Sequence, residues 1–197
     1  MKQLLIILLF ITTRVLGQQL PDIEPNTDSL SKSNSVIYNT FQNKYDFLIS
    51  YSENSYWWSN RRFFEILAKK DNDWYYLTYY DRKKKKGGFT KPSITRHIID
   101  RTSVKLILDQ LSQINFWTLD SDSLNNNSEQ ISEDRSITYT ISDGVSYDFQ
   151  IISQDDYREI SAYEPEYFLK VLPDNEQRKR FIVGQKVFKT FLKKNGT

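Results

Sequence analysis

The apolar positions of this chain change period several times, and each period predicts a different element. The first pattern is an unbroken run, Leu4–Ile11, behind Met1-Lys2 and ahead of Val15-Leu16-Gly17. A basic start, an apolar centre and a small-residue exit are the build of a secretory signal peptide. The run falls well short of the roughly twenty apolar residues that cross a bilayer. The expectation is export with cleavage after Gly17, to the periplasm or the extracellular medium, with no membrane span afterwards. No cysteine stands at the cleavage point to take a lipid.

Residues 18–35 carry two prolines and few apolar side chains, too little surface to offset the entropy of ordering. They are read as a flexible linker, with a single α+β domain over residues 36–197. From Val36 onward aromatic and β-branched residues take over. Asp46–Ser52, Arg62–Lys70 and Trp74–Asp81 predict strands of an antiparallel meander. A turn at Asp71-Asn72-Asp73 would place Phe64, Ile66 and Ala68 with Trp74, Tyr76 and Tyr80. The other face, with Phe63, Leu67, Tyr75, Leu77 and Tyr79, is apolar too. Such a sheet needs cover on both sides.

After a basic segment Asp81–Pro92, expected to be mobile because four consecutive lysines repel and Gly87-Gly88 frees the backbone, the period becomes helical. Val104, Ile107, Leu108, Leu111 and Ile114 share one stripe, with Asp100 or Thr102 as the cap. Asp120–Asp134 reads as a polar surface loop. Ile137, Tyr139 and Ile141, then Val145, Tyr147, Phe149 and Ile151, alternate as a hairpin. A three-residue loop Ser142-Asp143-Gly144 would keep both apolar sets on one face. Gln154–Tyr163 reads as a crossing to a short helix at Pro165. A last helix, capped by Asp174, buries Phe181, Gly184, Val187, Phe188, Phe191 and Leu192. The fold class predicted is α+β, an antiparallel sheet of about five strands with two main helices packed on it.

Composition narrows the chemistry. The chain has no cysteine, so disulfides, thiolate metal sites and cysteine nucleophiles are all excluded. Processing would remove Lys2 and Arg14 and leave basic and acidic residues in balance, which argues against a nucleic-acid binder. His97 is the single histidine and reads as a surface residue or a helix entry. Asp120/Asp122 and Asp155/Asp156 lack the glycine and later glutamate of a calcium loop, and no metal or cofactor is expected. No Gly-x-Ser-x-Gly elbow is present.

The aromatics are the better lead. Tyr56-Trp57-Trp58 precedes Arg61-Arg62, and adjacent tryptophans on a strand point to opposite faces. Either both tryptophans are core or sheet-cover residues, as large aromatics mostly are, or one of Trp57 and Trp58 is exposed beside Arg61 and Arg62, able to stack a sugar or anchor a partner. Lys83–Lys86 reads as a solvated loop within reach of an anionic lipid or polysaccharide.

The order Phe116-Trp117, Asp143-Gly144, Tyr157-Arg158, Tyr163 and Pro165, then Glu176 and Arg178-Lys179-Arg180-Phe181, covers about the last half of the chain. It resembles a pattern in small uncharacterised exported proteins of Bacteroidetes-type bacteria. The resemblance implies no activity. Tyr157, Arg158 and Tyr163, on one connecting loop, are candidates for a shared pocket. The function expected is an exported, non-enzymatic binding or interaction domain for an envelope protein or polysaccharide. A carbohydrate-binding module built on the exposed aromatics and a small carboxylate-dependent hydrolase are the alternatives.

Overall fold

The computed structural model describes residues 20–25, 29–154 and 156–195. Residues 1–17, read above as a signal peptide, lie outside the described residues. Within the segment read as a linker, Ile23 is buried and Ser29–Asn34 forms α1. Helix α2, Val36–Phe41, follows, and its cap Ser35 accepts the Tyr38 amide at 2.9 Å.

Three long strands come next: β1 Phe47–Ser55, β2 Arg61–Lys70 and β3 Asp73–Arg82. Lys70 pairs with Asp73, so the β2–β3 turn is the two residues Asp71-Asn72, with Asp71 at φ 54°. This corrects the expected three-residue turn. A two-residue turn with a left-handed first position matches the twist of the strands it joins, and the one-residue change moves the return strand's side chains to opposite faces. Phe64, Ile66 and Ala68 therefore stand opposite Tyr79, Leu77 and Tyr75.

A fourth strand, β4 Ser93–Ile99, pairs with β3 and was not anticipated. The basic segment before it folds back on itself: the Lys84 amide donates to the Gly88 carbonyl at 2.9 Å, and Lys83 bridges Phe89. Helix α3, Arg101–Gln113, begins at Asp100, whose carboxylate accepts the Ser103 amide at 2.8 Å. It buries Val104, Ile107, Leu108 and Leu111, as its stripe predicts. The segment read as a surface loop contains α4, Ser121–Asn125, and starts a separate two-stranded hairpin of β5, Ser128–Ser132, and β6, Arg135–Thr138.

The expected hairpin joining Ile137–Ile141 to Val145–Ile151 does not form. Strand β7, Val145–Ser153, pairs along its length with β1 on one side and β8, Asp156–Tyr163, on the other. Both of its edges are thereby occupied, and Ile137 stays exposed in β6. The crossing expected at Gln154–Tyr163 is itself mostly strand β8. Helix α5, Pro165–Val171, and helix α6, Glu176–Asn195, close the fold. The residue that caps α6 is Asn175, one later than expected, whose side chain accepts the Arg178 amide at 2.8 Å.

The architecture is α+β: a six-stranded antiparallel sheet in the order β4-β3-β2-β1-β7-β8, with a separate two-stranded sheet. Both faces of the large sheet are covered, as its two-sided apolar pattern demands. On one face α3 and α6 pack over Phe47, Ile49, Leu67, Trp74, Phe149 and Ile151. Phe149 sits 4.9 Å from Phe116 and 5.4 Å from Phe188 between ring centroids, both T-shaped. Each such pair contributes about 0.5–1.5 kcal/mol beyond burial. On the other face α2 supplies Ile37 and Phe41 over Leu48, Ile66, Leu77 and Tyr157. No helix among the described residues is long and apolar enough to cross a membrane.

Candidate functional site

The helical cover does not reach one end of the sheet. Along β1, Tyr51 and Glu53 follow Phe47 and Ile49 on the α6 face; along β2, Leu67 is followed by Glu65, Phe63 and Arg61. A charged residue at a core-face position marks where the core stops. Phe63 is 47% exposed there. Tyr51, Glu53, Arg61, Phe63, Glu65 and Tyr80 line an open pocket of about 540 Å³ at this place.

The pocket's carboxylates are held in place. The Tyr51 hydroxyl donates to Glu53 Oε1 at 2.7 Å and accepts from Gln185 of α6 at 3.0 Å. Lys189, one turn further along α6, donates to Glu53 Oε1 at 2.6 Å. The Tyr76 hydroxyl donates to Glu65 Oε1 at 2.8 Å. Burial pushes both tyrosine hydroxyls well above their ordinary range, and the adjoining carboxylates push them further. Burial acts to raise Glu53, but Lys189 and Tyr51 outweigh it and hold the carboxyl below its usual range. The result is a wall of ring faces and two fixed anionic acceptors, one of them neutralised by a lysine.

The β1–β2 connection forms the rim. Ser55 caps a 3-10 turn, Tyr56–Trp58. Tyr56 and Trp57 are 78% and 68% exposed, with rings 5.8 Å apart and nearly perpendicular. The two tryptophans lie on a turn, not on the strand expected. The Trp58 side chain lies outside the described part of the structure.

A second open pocket of about 600 Å³ lies on the opposite face of the same rim, lined by residues that include Tyr56, Arg61, Arg62, Phe89, Asp143 and Tyr163. Arg62 is engaged there: its Nε donates to Asp81 Oδ1 at 2.9 Å, a second nitrogen meets Oδ2, and its guanidinium lies 3.5 Å from the centre of the Phe89 ring. The Tyr79 hydroxyl also donates to buried Asp81, at 2.7 Å, and burial is the largest cause that pushes this phenol up to about 12. Tyr163 accepts the Gly144 amide at 2.9 Å and donates to the Ile141 carbonyl at 3.1 Å.

Arg61, Arg62 and Tyr163 thus come together, with Trp57 on the rim beside them. Tyr157 and Arg158 do not join them. Tyr157 is buried under α2, with its ring against Tyr38 at 5.7 Å. Arg158, next along β8, points to the other face and donates to the Glu24 and Leu119 carbonyls, each at 2.6 Å. Successive strand residues alternate between faces, which separates these two.

Glu53, Glu65, Phe63, Tyr80 and Phe89 were not singled out from the sequence as site residues. The signal available for Glu65 was a charge between two apolar strand neighbours, Phe63 and Leu67; Glu53 stands between Tyr51 and the polar Ser55 and gave no such signal. His97 lies exposed on β4 and stacks on Tyr76 at 6.5 Å between centroids. Asp120 is the cap of α4, held below the usual carboxylate range chiefly by the Ser123 amide, and Asp155 lies outside the described residues. Among the described residues no three His, Asp or Glu side chains converge as metal ligands. No protein-family model matches the chain, and no curated protein matches it.

Proposed function

We propose that this chain is a non-enzymatic binding domain whose ligand is a carbohydrate ring, taken into the pocket between Phe63, Tyr80, Glu53 and Glu65. The observation that carries the reading is a core face that ends in aromatic rings and two fixed carboxylates left open to solvent. A sugar ring has an apolar face suited to a ring surface and edge hydroxyls suited to carboxylate acceptors and arginine donors. The exposed Tyr56 and Trp57 extend this surface along the rim. Their perpendicular rings favour a ligand that turns at the rim over a flat chain stacked on both. The export expected from residues 1–17 is consistent with an envelope or extracellular polysaccharide as the source.

The two carboxylates also bear on a hydrolase. Glycoside cleavage needs one carboxyl that is protonated at working pH to act as the acid. Lys189 and Tyr51 hold Glu53 below its usual range, which makes Glu53 unsuited to the acid's role. Titration calorimetry of the protein, Glu65→Gln and Phe63→Ala against a panel of soluble oligosaccharides tests the reading. Binding by the native protein, weakened at least about tenfold in each variant while both remain folded, is expected. Absence of binding across the panel overturns it, and release of new reducing ends overturns its non-enzymatic part.

A further inference from the structure

The two edges of the large sheet are treated differently. The β8 edge is closed by α4. Ser121 Oγ accepts the Ser161 amide at 3.0 Å, Asn125 Nδ2 donates to the Ser161 carbonyl at 3.0 Å, and Asn125 Oδ1 accepts the Tyr163 amide at 2.8 Å. These side chains take the place of a further strand. The β4 edge has no such cover: Ser93–Ile99 pairs only with β3, and its outward backbone groups have no partner among the described residues. An open edge is a template for an added strand unless it is blunted.

The side chains of β4 select what could pair there. Ile94, Arg96 and Ile98 share one face, and Ile98 is 73% exposed. The Arg96 guanidinium lies over the Tyr75 ring at 4.7 Å and so is held at the middle of the strand. From Arg82 to Ile99 the chain carries Arg82, Lys83–Lys86, Lys91 and Arg96 and no acidic residue. A second copy pairing antiparallel about the strand's centre would set Arg96 against its own counterpart, and like charges directly opposite destabilise a sheet. An acidic strand meets the opposite condition at Arg96, and the basic residues Arg82, Lys83–Lys86 and Lys91 that precede β4 add general attraction for it.

From these observations we infer that β4 is a docking edge for an extended acidic segment of a protein partner, which adds to the large sheet as a seventh strand. The backbone ladder supplies affinity, and the alternation of apolar, acidic and apolar residues opposite Ile94, Arg96 and Ile98 supplies register. This surface is separate from the pocket at Glu53 and Glu65, and the inference does not depend on the carbohydrate reading.

The test uses a fluorescein-labelled peptide, acetyl-EVTETVE-amide, measured by anisotropy against the protein at low salt. Two further peptides carry N-methyl groups, one at both valines and the central glutamate, the other at both threonines. Strand addition uses one edge of the peptide, so one methylated form should lose at least about tenfold in affinity while the other keeps it. Equal binding by all three overturns the inference in favour of simple charge attraction. Arg96→Glu, checked for an unchanged melting temperature, should weaken the parent peptide at least about tenfold; unchanged binding overturns the register. Capture by anionic phosphatidylserine vesicles with no peptide binding overturns it in favour of a lipid surface. A concentration-dependent dimer that protects the β4 amides from exchange overturns it in favour of self-pairing.

Discussion

The ring of Phe116 fills the space that a side chain on Gly184 would need. A Cβ at position 184 would stand 2.6 Å from Phe116 Cε2 and closer still to Cδ2, and Phe116 is itself fully buried against Phe149. Helix α6 approaches the 3-10 turn Phe116–Thr118, which follows α3, this closely because residue 184 has no side chain. Gly184→Ala should destabilise the protein by about 1–3 kcal/mol, the usual cost of overpacking a core, despite alanine's better helix propensity. Urea denaturation with an unchanged m-value checks this; a stabilised variant would show that α6 can move away.

Arg178 is fully buried, and no carboxylate pairs with it among the described residues. Its guanidinium donates to the Leu124 carbonyl at 2.8 Å, to those of Asn126 and Phe168 at 3.0 and 3.2 Å, and to Asn127 Oδ1 at 3.0 Å. One side chain thus ties α6 to α4 and α5. Arg178→Ala leaves several buried carbonyls unpaired and should cost at least about 3 kcal/mol. Arg178→Lys, with fewer and differently placed donors, should fall between. Chemical denaturation of the two variants ranks them.

Asn125 closes the β8 edge with both ends of its amide. Asn125→Ala frees the Tyr163 amide and the Ser161 carbonyl and should cost about 1–3 kcal/mol. Hydrogen exchange at Tyr163 should speed up relative to amides in the middle of β7, which remain flanked by β1 and β8. Unchanged exchange at Tyr163 would mean that the cap contributes nothing.

Asp148 and Asp81 should govern stability in opposite directions with pH. Burial pushes Asp148 up, with bonds from Ser161 and Asn54 only partly opposing it. Its folded carboxyl holds a proton more tightly than the unfolded one, so its contribution is full below the ordinary aspartate range and is lost as pH rises through the raised value. At Asp81 burial acts upward, but Arg62 and Tyr79 outweigh it and the carboxyl is lowered. Its contribution is present above the ordinary range and lost as pH falls through the lowered value. Melting temperatures compared at about pH 3 and about pH 7, either side of the ordinary aspartate value, check both. Asp148→Asn should gain relative to the native protein at the higher pH, and Asp81→Asn should lose there.

The sequence pattern described the sheet best where pairing is local. Strands β1, β2 and β3 follow one another with strong alternation, and α3 carries its cap and stripe within fifteen residues. Strand β4 was missed because SITRHII has charges and isoleucines on an almost fully exposed strand, with no buried face to impose a period of two. The misplaced hairpin has a different cause. Ile137, Tyr139 and Ile141 alternate as a strand should, but β1 and β8 occupy the two edges of β7, and only β8 is near in sequence. At the candidate site, Arg61 and an exposed tryptophan were visible because they sit together in the chain. Glu53 and Glu65 were not, because antiparallel register brings them to one pocket from separate strands.

The β1–β7 ladder has a consequence for the newborn chain. Phe47 pairs with Ser153, so β1 waits for a partner made roughly 100 residues later, which at synthesis rates of about 5–20 residues per second takes roughly 5–20 s. During that interval the meander of β1 to β4 can form by itself, leaving Phe47, Leu48 and Ile49 as the free edge of an unfinished sheet. Expression without a holding chaperone should therefore trap aggregates seeded at β1. A circular permutant that places β7 and β8 just ahead of β1 should shorten that exposure and raise the soluble yield.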